Sequence, residues 1–145
     1  MKMQWLLILT AVLLVAADAQ DDAVKKDLKK LQGHWTLVSA VVDGKKIPAD
    51  VIKDVHVVIE GPKYTYDGAV KREMTITLDP TKKPKEIDLT QMKDGKTKTS
   101  RAIYEVEGNT LKVCRHQDGA QPRPTSFLSK PGSGWSSSVW KREKR

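Results

Sequence analysis

The sequence predicts a mainly β domain behind one short N-terminal helix, with seven or eight short antiparallel strands forming an up-and-down barrel or a sandwich. Three observations carry this. Apolar residues repeat at helical spacing only before Gly33; beyond it they repeat every second residue. The alternating segments are short and regularly spaced. Between them stand Asp43-Gly44, Asp67-Gly68, Asp94-Gly95 and Asp118-Gly119, dipeptides of the kind that close hairpins, with Glu107-Gly108-Asn109 as a further turn.

Residues 1–19 read as a secretory leader. Lys2 gives a positive start, Trp5 to Val15 is an apolar run broken only by Thr10, and Ala17-Asp18-Ala19 is a small-x-small cleavage site. The run is shorter than the roughly 20 residues a membrane-spanning helix needs. Cleavage after Ala19 leaves a mature chain from Gln20, exported to the periplasm or the extracellular space, with no stable membrane insertion. The cleavage site lacks the Cys that a lipid anchor requires. The domain is expected over 20–140, with a basic tail over 141–145.

A helix is expected over 21–32. Val24, Leu28 and Leu31 share one face, Asp21 and Asp22 suit the positive end of the helix dipole, and four lysines cover the other side. Gly33 stands where a helix takes a left-handed cap. Trp35, Leu37 and Val41 then alternate with polar or small neighbours, apart from Val38. Pro48 to Lys53 reads as one helical turn with Pro at its start. Val55 to Ile59 is β-branched, and alternation recurs at Tyr64 and Tyr66, at Met74, Ile76 and Leu78, and at Ile87 and Leu89. It returns at Ala102, Tyr104 and Val106, and at Leu111 and Val113. Pro80, Pro84, Pro122, Pro124 and Pro131 fall between strands, where the missing N–H does no damage.

The longest motifs are Asp27-Leu28-Lys29-Lys30-Leu31-Gln32-Gly33-His34-Trp35, Val42 to Pro48, Leu78 to Thr90, Ile103 to Cys114, and Arg123-Pro124-Thr125 through Ser129 to Gly134. In this order they resemble the planctomycete paralogous domain of unknown function, over nearly the whole mature chain. The resemblance implies a lipocalin-like β-barrel and no established activity. The chain departs from that family in its last strand, where Trp135 to Trp140 carries serines and tryptophans in place of aliphatics before Lys141-Arg142. Gly33-x-Trp35 also resembles the first lipocalin motif. That likeness implies a structural plug: Trp35 closes one barrel end, and a cation of the last strand, Arg142 or Lys141, packs over it. The second lipocalin motif is not evident.

Little else points to chemistry. The lone Cys114 forms no intramolecular disulfide. Cys114-x-His116 puts two metal-ligating types on one strand face, but no second pair accompanies it, so no metal is expected. Gly132-Ser133-Gly134 does not match a nucleophile elbow, and no Gly-rich phosphate loop precedes a helix. Glu73, Glu86, Asp88, Glu105 and Glu107 fall on outward strand positions or turns. No catalytic residue and no cofactor are expected. The strong bias is positive charge, +8 overall and unchanged by removing the leader, whose Lys2 and Asp18 cancel. No aromatics interleave the cations as in nucleic-acid binders, and export also argues against that role. Two functions follow. The first is a non-enzymatic binding module whose barrel cup holds a small apolar or amphipathic ligand, with Tyr64, Tyr66 and Tyr104 in its wall. The alternative is an interaction protein whose basic surface binds anionic cell-surface polymers.

Overall fold

The computed structural model describes residues 19–119 and 121–144. Apart from Ala19, the expected leader lies outside them. Helix α1 runs over 19–31. It is followed by β1 (Gly33–Val42), β2 (Lys45–Lys46), α2 (Ala49–Ile52), β3 (His56–Glu60), β4 (Lys63–Asp67) and β5 (Lys71–Asp79). The chain continues through β6 (Lys85–Lys93), β7 (Lys96–Glu107), β8 (Thr110–His116) and β9 (Trp135–Arg142). From β3 to β9 each strand pairs antiparallel with the next, β1 pairs with β3, and β9 returns to β1. Eight strands thus close into an up-and-down, lipocalin-like barrel, and β2 is a short hairpin partner at the end of β1.

Alternation divides each strand between the barrel interior and the outside. Val57, Ile59, Ile76, Leu78, Ile87 and Leu111 point inward and are buried with Trp35 and Leu31 in one continuous core. This core fills the half of the barrel against which α1 packs. A bulge between Leu37 and Ser39 shifts the parity of β1. Ala40 is therefore buried, and the expected inward position of Val41 is corrected to Ala40 and Val42. Val38, which broke the alternation, is 47% exposed.

Three of the four Asp-Gly dipeptides stand at hairpins: Asp43-Gly44 and Asp94-Gly95 have positive φ at both residues, and Asp67-Gly68 opens the three-residue turn between β4 and β5. Asp118-Gly119 closes no hairpin. It opens the long β8–β9 connection, whose described residues 117–119 and 121–134 fold back along the outside as a strap. Arg123 anchors the strap. It donates to the carbonyls of Ala102 (2.7 Å) and Ile87 (3.3 Å), and it pairs with Asp88 (2.8 Å) and Glu86 (3.5 Å). Ile103 and Cys114 face outward yet are buried in this region, together with Pro124.

The serine-rich last strand closes the barrel along both edges. Its hydroxyls replace aliphatic packing with hydrogen bonds: Ser137 donates to the Phe127 carbonyl (2.6 Å) and Ser138 to that of Val113 (3.2 Å). β9 runs through Arg142, so Lys141 and Arg142 belong to the wall and not to a tail beginning at 141.

Candidate functional site

The closed end is built around Trp35 and Arg142. Trp35 is fully buried, and its indole N–H donates to the Leu31 carbonyl (2.9 Å). The Arg142 guanidinium lies 4.3 Å from the Trp35 ring centroid. It donates to the carbonyls of Lys30 (2.6 Å) and Gln32. Between them, these two side chains occupy three carbonyls where α1 ends, groups a helix cannot bond internally, and they set a cation at its negative pole. Gly33 has φ +120°, and a Cβ there would stand 3.1 Å from Arg142 Nη1. Lys141, the other cation considered, points outward to Thr110.

Tyr104 was expected in the ligand wall. It points inward but into the closed end, where its hydroxyl donates to Asp27 Oδ2 (2.7 Å). Lys85 Nζ donates to the same oxygen (2.8 Å). Asp27 is 4% exposed. Burial pushes its carboxyl up, but hydrogen bonds from Lys85 and Tyr104 and the charges of Lys85 and Lys30 outweigh this and hold it below the usual carboxylate range. Its sequence signal is its place three residues after Val24 and four before Leu31, on the apolar face.

The other half of the barrel is hollow. A cup of about 480 Å³ opens there, with Leu37, Tyr64, Leu89, Val113 and Trp140 in its wall and Ile52 of α2 beside its mouth. The space follows from sequence. Inward positions of this half carry Ala40, Ser100, Ser136 and Ser138, which are too small to meet across an eight-stranded barrel. Tyr64 and Tyr66 lie in the wall of this cup, and Tyr104 is not among its lining residues. Tyr64 is 5% exposed, and its hydroxyl bonds no described residue. Burial pushes that hydroxyl far above its ordinary pKa, with the nearby Arg115 charge opposing. Arg72, Lys98 and Arg115 also line the cup, and among the described residues no Asp or Glu does.

The wall is split on one side. β5 and β6 pair only from Thr75↔Thr90 to Asp79↔Glu86. Lys71–Met74 keep only β4 and Gln91–Lys93 keep only β7. A groove of about 710 Å³ runs along this parting, and Arg72, Met74 and Gln91 line both groove and cup. The rest of the groove is largely charged or polar side chains, so the apolar floor belongs to the cup alone.

Elsewhere the groups suit structure. Cys114 is fully buried, and burial pushes its thiol up to about 11 against an opposing bond from Ser137. At neutral pH it is a protonated thiol under the strap. Native protein should therefore resist iodoacetamide, with full labelling in denaturant; fast labelling of native protein would show that the strap does not cover it. His116 Nδ1 accepts from the Asp118 backbone N–H (3.0 Å). Among the described residues no three His, Cys, Asp or Glu side chains are placed to hold a metal. Thr36, His56 and Glu143 meet on the barrel's outer face, a cluster not legible beforehand because it joins three strand ends. Glu143 Oε1 lies 2.6 Å from His56 Nδ1 and accepts from Thr36 Oγ1 (2.7 Å). Both contacts to the imidazole use Nδ1, so the ring does not bridge a hydroxyl and a carboxylate as a catalytic triad requires. Compared with family models, curated proteins and solved structures, the chain finds no match.

Proposed function

We propose that the protein is an exported, non-enzymatic binding module that holds a small apolar or amphipathic ligand in its barrel cup, and that it belongs to the planctomycete domain family its motifs resemble. The observation that carries the reading is the contrast between the two halves of one barrel. The half against α1 is packed with large side chains, while the other keeps small residues inside and leaves about 480 Å³ open. That volume falls within the roughly 300–1,000 Å³ of small-molecule sites. The lining also has the usual form, an apolar floor with a few polar groups near the mouth. The alternative, a basic surface that gathers anionic polymers, has less support. Lysines are spread over α1, the strand tips and the β5–β6 connection, a pattern that yields a screened field and no organised site.

The test is a fluorescence titration with N-phenylnaphthylamine, a neutral apolar probe. Saturable enhancement at one probe per chain, competed by unlabelled amphiphiles, is expected. A signal that rises linearly without saturating would mean that the interior takes no ligand.

A further inference from the structure

We propose that the cup selects an amphiphile with a compact anionic head, a carboxylate or a phosphate monoester, whose tail lies on the apolar floor and whose head is held by Arg115 and the Tyr64 hydroxyl, with Arg72 and Lys98 at the rim. This rests on the cup reading and adds the chemical class of the ligand.

The first support is the charge of the lining. Three cations come from three strands, β5, β7 and β8, at positions whose parity points them inward. Among the described residues no Asp or Glu lines the cup. Of the other half-buried cations, Lys85 meets Asp27 and Arg123 meets Asp88 and Glu86, while Arg142 is held by carbonyls and the Trp35 ring. Arg72, Lys98 and Arg115 form no ion pair among the described residues. Three like charges around one mouth without a counter-charge repel one another, and a bound anion removes that repulsion.

The second support is independent of charge. Tyr64 is a polar side chain, 95% buried by its 5% exposure, set in the cup wall with a hydroxyl that bonds no described residue. The hydroxyl oxygen is not sealed in the wall but open to the cup, where a ligand oxygen can bond it. β4 and β8 stand on opposite sides of the eight-stranded barrel, so Tyr64 and Arg115 converge on the cup from facing walls. Arg115 is close enough to act electrostatically on the Tyr64 hydroxyl. A guanidinium fork beside a neutral O–H donor matches the two or three oxygens of a carboxylate or phosphate. The floor of Leu37, Leu89, Val113 and Trp140 offers such a head nothing but suits an alkyl chain.

The experiment displaces N-phenylnaphthylamine from the full chain with dodecanoate, dodecyl phosphate and dodecanol, which share a tail and differ in head. One or both anions should displace the probe at concentrations about tenfold or more below dodecanol, the weight of one hydrogen bond to a charged group. Whichever anion is preferred identifies the head. In Arg115→Gln the anions should fall to the level of dodecanol while dodecanol itself is unchanged, and Tyr64→Phe should move the anions the same way by less. Dodecanol equal to both anions in the wild type would overturn the anionic head and leave the cup standing. An equal loss for all three ligands in Arg115→Gln would also overturn it, since Arg115 would then be holding the wall. Absence of any probe binding would instead overturn the cup itself.

Discussion

Replacing Trp35 by Ala should lower the stability of the barrel by about 3–5 kcal/mol, the range for a large aromatic removed from a core. Trp35 is fully buried, so truncation leaves a void that the closed strands β1, β3 and β9 cannot collapse to fill. The loss goes beyond packing. The Leu31 carbonyl at the end of α1 loses its indole donor, and Arg142 loses the ring it lies on. Domains are stable by about 5–15 kcal/mol, so a change of this size shows as a large drop in the urea midpoint. Arg142→Gln should cost less, because the indole still fills the end and still bonds Leu31. An unchanged midpoint in Trp35→Ala would mean that the closed end is not held as described.

The second large effect belongs to Asp27. Asp27→Ala should cost about 1–3 kcal/mol, because it strips the buried Tyr104 hydroxyl of its acceptor and Lys85 of its counter-charge. The figure stays below that for fully buried pairs because the Lys85 side chain is 37% exposed and can turn to water. The charge makes this contribution pH-dependent. Asp27 has a folded pKa below its ordinary value of about 3.9. Its stabilisation is therefore complete above that value and is lost as pH falls through the lower, folded one. Urea midpoints of wild type and Asp27→Asn should differ at neutral pH and draw together on acidification to about pH 2. A gap that stays constant across this range would mean that the carboxylate's charge contributes nothing.

Much of the barrel was legible because most of its strands alternate apolar and polar residues and are separated by turns. What escaped did so for local reasons. The bulge after Leu37 adds a residue to β1 and moves the inward role from Val41 to Ala40, which no two-residue period can show. β9 carries serines on both faces, so only family likeness marked it as a strand; its hydrogen bonds to Val113 and Phe127 are tertiary facts. The strap was read as loop and turn residues because its anchor, Arg123, acts on carbonyls of β6 and β7 far away in sequence. Tyr104 and Tyr64 carry the same inward parity, and only the length of each strand decides which half of the barrel each reaches. The cup cations carried an unused signal. Arg115 shares parity with Leu111 and Val113, Lys98 with Ala102, and Arg72 with Met74 and Ile76. Their spacing turns them toward the cup, with Arg72 and Lys98 exposed at its rim and Arg115 half-buried.

The hollow half of the barrel is tested most directly by filling it. Ala40 lies in the cup wall and is 7% exposed, so Ala40→Phe places a ring in the open space without touching the packed end. N-phenylnaphthylamine should bind the wild type at one site and lose that binding in Ala40→Phe, while the melting temperature of the variant stays level or rises. Undiminished probe binding by a folded Ala40→Phe protein would contradict the cup, because the probe would then be held somewhere else on the molecule.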